Sequence, residues 1–142
     1  MLKISKLILG LFLITLAACS SKNVGNIPLA TDGGPLADIN FTYDSYSISS
    51  TAARKLDSNT NWLAENSDYN VTIEGHCDER ATNEYNMALG LKRARAAYDY
   101  YVSAGIDADR LSVVSYGEEL PINSASNEKA WSQNRRAHFL VK

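Results

Sequence analysis

The sequence predicts an α/β fold of the two-layer α+β sandwich type, with helices packed on a mixed four-stranded sheet in the order βαβαβ(α)β. Two patterns and the chain length carry this expectation. Apolar and polar residues alternate at 38–43, 69–76, 110–116 and 137–141, whereas 51–66 and 83–104 repeat apolar residues at helical spacing. Strands joined through helices imply parallel pairing with right-handed crossovers, and a final strand is free to insert antiparallel. A chain of 142 residues has room for one such domain plus extensions.

In the first strand, Asp38 to Tyr43, the residues Ile39, Phe41 and Tyr43 alternate with polar neighbours until Asp44-Ser45-Tyr46-Ser47 breaks the run. Ser49 or Ser50 can cap a helix over Thr51 to Asn66, with Ala52, Leu56 and Leu63 facing a core and Trp62 closing that face. The second strand, Tyr69 to His76, passes through a polar turn into a long helix from Asn83 to Ala104, which Gly105 terminates. Along it Met87, Leu91, Ala94, Tyr98 and Tyr101 or Val102 form the apolar stripe expected to pack, and Asn86, Gly90 and Arg93 share a different face. A glycine inside a helix costs about 1 kcal/mol relative to alanine, so Gly90 marks close backbone approach or clearance for a ligand. A third strand at Arg110 to Tyr116, a loop over 117–126, a short helix from Asn127 to Arg135 carrying Trp131, and a last strand at 137–141 complete the domain.

Ahead of the domain, residues 1–18 have the pattern of an export signal: Lys3 and Lys6 precede the ten-residue apolar run Leu7 to Leu16, followed by Ala17-Ala18. Ten residues are too few for a bilayer span, which needs about 20. Residues 19–36 show little periodicity and several Ser, Gly and Pro, the composition of a flexible tether, and the folded domain is expected over 37–142. The seventeen residues from Ser20 to Leu36 reach roughly 20 to 25 Å. Without residues 1–18 the chain keeps 12 basic and 16 acidic residues, a formal charge of −4. That balance argues against binding nucleic acid or an anionic membrane surface through bulk charge.

Polar groups concentrate where the second strand ends and the long helix begins, in Gly75-His76-Cys77-Asp78-Glu79-Arg80. Three chemistries are open to them. A fixed guanidinium at Arg93 and a fixed carboxylate at Asp78 would recognise a zwitterion, although the same two residues can instead pair with each other and tie strand to helix. A metal-dependent hydrolase would use His76, Asp78 and Glu79, with His138, but the chain has only two histidines and no HExxH spacing. Nucleophilic catalysis by Cys77 would need His76 or His138 as base, and adjacent strand residues point to opposite faces. His76 then reads as a hydrogen-bonded strand-end residue, Cys77 as a small, partly buried side chain, and Arg135-Arg136 as a small basic patch, one reading of which is a solvated face beside the last strand.

The ordered words Gly75-His76-Cys77-Asp78-Glu79-Arg80, Glu84-Tyr85-Asn86, Leu89-Gly90, Arg93-Ala94, Val114-Ser115-Tyr116-Gly117-Glu118-Glu119 and Gln133-Asn134-Arg135-Arg136-Ala137 resemble the OmpA-like peptidoglycan-binding domain family, and within it the peptidoglycan-associated lipoproteins. The resemblance covers 38–142 and departs at Ala81, where the family has Gly, and at Tyr43, where it has Phe. It implies a non-enzymatic protein without cofactor, in which Asp78 and Arg93 hold the zwitterionic end of meso-diaminopimelate in a peptidoglycan stem peptide. It also implies help from Asp44, Asn86 and Leu89. Leu16-Ala17-Ala18-Cys19 resembles a bacterial lipobox, which implies lipidation at Cys19 and, with Ser20 following, residence on the periplasmic face of the outer membrane. A disulfide from Cys19 to Cys77 would conflict with that lipidation. Membership of the Tol-Pal system, exchanging between peptidoglycan and TolB, follows from the same resemblance, and the alternative is a lipoprotein that docks mainly to TolB and holds the wall weakly.

Overall fold

The computed structural model describes residues 34–142. Its elements are β1 (Ile39–Asn40), α1 (Ser50–Glu65), β2 (Val71–His76), α2 (Asn83–Ser103), a 3-10 turn (Ala108–Arg110), β3 (Leu111–Gly117), α3 (Glu128–Asn134) and β4 (Arg136–Val141). The order within the four-stranded sheet is β1-β4-β2-β3. β2 and β3 are parallel, and β4 is antiparallel to both β1 and β2, so the sheet is mixed as expected. The signal, the lipidated cysteine and most of the tether read from the sequence lie outside the described residues. Leu36, assigned by sequence to the end of the tether, is fully buried and belongs to the core.

Local chemistry explains the helix starts. Ser49, Thr82 and Asn127 each turn a side-chain oxygen to the backbone N–H three residues on, at 3.1, 3.3 and 3.0 Å. Alternation then sorts the sheet. Val71, Ile73, Ala137 and Phe139 face the helices and meet Leu56, Leu63, Ala94, Ala97 and Tyr101 in one core. Thr72, Glu74, His76, Arg136 and His138 fall by that alternation on the opposite face.

Two expectations change. The first strand forms a ladder of only two residues, because beyond Asn40 the backbone turns to serve arginines: the Phe41 carbonyl accepts from Arg135 Nε at 3.0 Å and that of Thr42 from Arg93 Nη2 at 3.2 Å. On α2 the buried residues are Asn86, Leu89, Gly90, Arg93, Ala94, Ala97 and Tyr101, so Ala94 and Tyr101 of the expected stripe pack, while Leu91 and the alternative Val102 are 45% and 39% exposed. The helix is rotated so that its polar Asn86 and Arg93 point inward. What holds that rotation is steric. A Cβ on Gly75 would lie 1.8 Å from the Gly90 carbonyl oxygen, and one on Gly90 would lie 2.3 Å from Ser115 Oγ, so α2 crosses β2 backbone to backbone. Of the two meanings open for Gly90, this is close approach.

His76 also departs from the sequence reading. It is 1% exposed, its two ring nitrogens have no hydrogen-bond partner among the described residues, and its ring stacks on Tyr116 at 5.6 Å between centroids. The nearest carboxylate oxygen, from Glu74, is 3.7 Å away. Burial, then the charges of Arg136 and His138, lower its pKa to about 3. The unfolded chain therefore takes up a proton near pH 6.5 that the folded one refuses, and stability present above that pH is lost as pH falls toward 3. At pH 5 the loss is about 2 kcal/mol, from 1.5 units at about 1.36 kcal/mol each. His76→Phe keeps the stacked ring and removes the proton site, so denaturant unfolding at pH 7 and pH 5 should show that loss in the original and not in the variant. An equal loss in both would remove His76 as its cause.

Candidate ligand-binding site

The loop after β1, the loop between β2 and α2, and the first three turns of α2 enclose a cavity of about 20 Å³. Room on that scale suits about one water molecule. Asp44, Asp78, Asn86, Leu89 and Arg93, the five residues named from the sequence as ligand contacts, all line it, together with Tyr43, Cys77, Arg80, Ala81 and Tyr85.

Arg93 is fully buried, and its guanidinium donates to the carbonyls of Ser45 (2.9 Å), His76 (2.8 Å) and Thr42 (3.2 Å). Three of its five N–H groups thus bind loop and strand to helix, and the guanidinium also reaches the Cys77 side chain. Burial lowers its pKa, against the opposing pull of Cys77 and Asp78, but a guanidinium keeps its proton at any physiological pH. Asp78, 4% exposed, is gripped by two other guanidiniums. Arg80 meets both its oxygens, Nη2 at 2.7 Å and Nε at 3.1 Å, and Arg135 Nη1 reaches Oδ2 at 3.1 Å. The Arg80 backbone N–H adds a bond to Oδ1 at 3.1 Å. Burial alone would raise the pKa of Asp78, but the hydrogen bonds from Arg80 and Arg135 outweigh it and hold the carboxyl below its ordinary range. Asp78 and Arg93 therefore do not serve as each other's tie; each is fixed by separate partners and both face the cavity.

Asn86 fixes the loop between strand and helix. Its Nδ2 lies 3.1 Å from both the Asp78 and the Arg80 carbonyl and also meets the Glu118 carboxylate. The Cys77 thiol donates to the Asn86 carbonyl at 3.3 Å, and burial pushes its pKa up to about 11, so it stays protonated and is no nucleophile at neutral pH. The groups of the hydrolase reading are held apart by different partners: Glu79 accepts from Trp131 Nε1 at 3.0 Å and His138 Nδ1 meets Asp38 at 2.8 Å. Among the described residues no set of three His, Cys, Asp or Glu is placed to share a metal ion.

Sequence reasoning missed the roles of Arg80, Trp131 and Arg135. Arg135 and Arg136 are each 6% exposed and are not a solvated patch. Arg135 serves Asp78, Glu128 and the Phe41 carbonyl, whereas Arg136 lies 3.6 Å from Asp38. The alternation of an extended chain, which sends neighbours to opposite faces, was the signal that could have separated them.

Residues 40–135 match the model of the OmpA family. The chain belongs to the OmpA family. Among curated relatives it is 50% identical over 97 residues to the peptidoglycan-associated lipoprotein of Rhizobium meliloti, a match spanning 68% of this chain and 55% of that protein. It is 39% identical to the protein of that name from Brucella melitensis over 94% of this chain and 89% of the relative. The chain thus spans about half the length of some of these relatives and nearly all of others. The crystal structure of the peptidoglycan-associated lipoprotein from Burkholderia pseudomallei aligns with a TM-score of 0.72 and 34% identity, over 74% of this chain and 89% of that one. The C-terminal domain of Helicobacter pylori MotB shares the fold at 18% identity and a TM-score of 0.66.

One departure from the OmpA-family pattern has a conformational cost. Ala81, where the family has Gly, adopts φ 92°, and Asp44 on the other side of the cavity adopts φ 51°. An L-residue in left-handed backbone costs roughly 1 to 2 kcal/mol, more than the roughly 0.4 to 1 kcal/mol of extra chain entropy a glycine would bring. Ala81→Gly should therefore stabilise the fold by about 1 kcal/mol, read as a higher urea midpoint at unchanged slope. A lower midpoint would show that the alanine is not strained there.

Proposed function

We propose that this chain is a lipoprotein of the bacterial envelope whose domain binds peptidoglycan non-covalently at the cavity between β2 and α2. The observation that carries the reading is the convergence of Asp44, Asp78, Asn86, Leu89 and Arg93 on one cavity that has a buried carboxylate and a buried guanidinium in its wall. A zwitterion fits those two charges: an ammonium takes Asp78 and a carboxylate takes the guanidinium of Arg93. The distal amino-acid centre of meso-diaminopimelate in a stem peptide has this chemistry, and the names of the relatives support that class of ligand. Cys19, outside the described residues, is then the lipidated anchor in the outer membrane. The tether carries the domain to the wall, and the Tol-Pal assembly is the setting in envelope constriction.

A second reading has its own observation. Tyr43, Tyr46 and Tyr85 are 60%, 49% and 49% exposed around the loops of the cavity, and tyrosine is over-represented where proteins dock. A periplasmic partner such as TolB would cover this mouth and exclude the wall.

Asp78→Asn is nearly isosteric and removes the charge that attracts the ammonium. Losing one partner of a desolvated charged contact costs about 2 to 5 kcal/mol, so binding to purified sacculi should fall about thirtyfold or more with the fold intact by circular dichroism. Arg93→Ala should lose binding and stability together, because the same guanidinium holds Thr42, Ser45 and His76. The original protein should prefer diaminopimelate walls to walls with lysine, which lack the distal carboxylate. Folded Asp78→Asn with unchanged affinity and unchanged preference would place the site elsewhere.

A further inference from the structure

The guanidinium of Arg80 lies between two aromatic rings, 4.1 Å from the centroid of Tyr43 and 4.2 Å from that of Trp131, with both oxygens of Asp78 at its edge. Glu128 stands 3.8 Å away. Two ring faces and a carboxylate form a site for an organic cation, and here the chain supplies the cation itself. We propose that Arg80 is an internal competitor for Asp78: it fills the cation subsite that the amino group of a ligand takes, and it leaves that slot when the ligand binds. This deepens the zwitterion reading above and rests on it.

Space and exposure both favour exchange. With Arg80 in place Asp78 is 4% exposed and the cavity beside it holds only about 20 Å³, so an arriving ammonium finds the carboxylate already covered. Of the two guanidiniums on Asp78, only one is placed to go. The Arg80 side chain is 29% exposed, against 7% for Arg135, and Arg135 is also committed to Glu128 at 2.6 Å and to the Phe41 carbonyl at 3.0 Å. When Arg80 swings out, Arg135 and the Arg80 backbone N–H stay on Asp78, so the carboxylate is never left bare. Trp131 keeps its place through the bond of its indole N–H to Glu79. Specificity follows from the competition: a ligand must bring a cation that satisfies Asp78 better than the resident guanidinium does.

The test uses the full chain with a soluble stem peptide containing meso-diaminopimelate. Arg80→Ala should bind it about five- to tenfold more tightly than the original, since the exposed pair and the ring contacts no longer have to be broken. Arg80→Lys, which keeps a charge but loses the two-point grip, should fall between. In a Trp62→Phe background, Trp131 fluorescence should shift on adding peptide to the original and stay unchanged in Arg80→Ala, where the stack is already gone. Should Arg80→Ala unfold, Arg80→Gln serves the same comparison. Weaker or equal binding by folded Arg80→Ala, with Asp78→Asn still losing affinity, overturns the competitor while leaving the zwitterion site standing. Binding indifferent to Asp78, or none at all by the original, overturns both.

Discussion

Helix α2 can lie where it does because neither Gly75 nor Gly90 carries a side chain, and the geometry of the site follows from that contact. With the two backbones touching, the residues four before and three after Gly90 arrive over the end of β2. Asn86 comes within reach of the Asp78 and Arg80 carbonyls, and Arg93 within reach of those of His76, Thr42 and Ser45. A methyl group at either glycine would lift the helix by more than a hydrogen bond tolerates. The polar anchors and the glycine pair therefore act as one unit: the glycines set the distance, and Asn86 and Arg93 use it.

The electrostatics of the cavity are asymmetric. Asp78 receives two guanidiniums, while the hydrogen bonds of Arg93 go to carbonyl oxygens, which offer dipoles in place of a counter-charge. A buried cation held chiefly by dipoles, with the pull of Cys77 and Asp78 beside them, is less well satisfied than one that grips a carboxylate directly. Under the proposed binding mode an incoming carboxylate would complete Arg93 and an incoming ammonium would replace Arg80 on Asp78. Each half of a zwitterion would then correct a different imbalance, and a ligand carrying both charges would suit the cavity better than an ion of either sign.

How far the sequence could be read depended on whether the deciding interaction was local. Helix α1 was legible to within a residue, expected at 51–66 and found at Ser50–Glu65, because a serine cap and an apolar repeat lie within the element. Asp78 and Arg93 were legible as opposite charges gathered where a strand meets a helix, Asp44, Asn86 and Leu89 came as contacts through the resemblance, and all five line one cavity. Periodicity placed Ala94 and Tyr101 in the core of α2 but not Asn86 and Arg93, whose polarity is met by carbonyls of the adjoining loop for Asn86 and largely of distant segments for Arg93. The place of β4 between β1 and β2 left no trace in the pattern of any single strand. Arg135 meets Asp78 across 57 positions of chain, and the Tyr43-Arg80-Trp131 stack joins three separate loops and helices. Such pairings have no period to detect.

The strained backbone at Ala81 has its reason in the same geometry. Between Cys77, whose N–H is fixed to the Gly117 carbonyl at 2.7 Å, and Thr82, whose hydroxyl caps α2, the chain must reverse direction. It must also leave the carbonyls of both Asp78 and Arg80 pointing at one amide, Asn86 Nδ2. Two carbonyls converging from one side of a tight turn leave the next residue little choice, and a positive φ at Ala81 is the result. The loop is thus over-determined by the thiol, the cap and the amide. Its backbone is the fixed part of the site, and the side chain of Arg80, held on Asp78 between two rings, is its partly exposed part; under the exchange proposed above a ligand would replace that one side chain on a frame that stays in place.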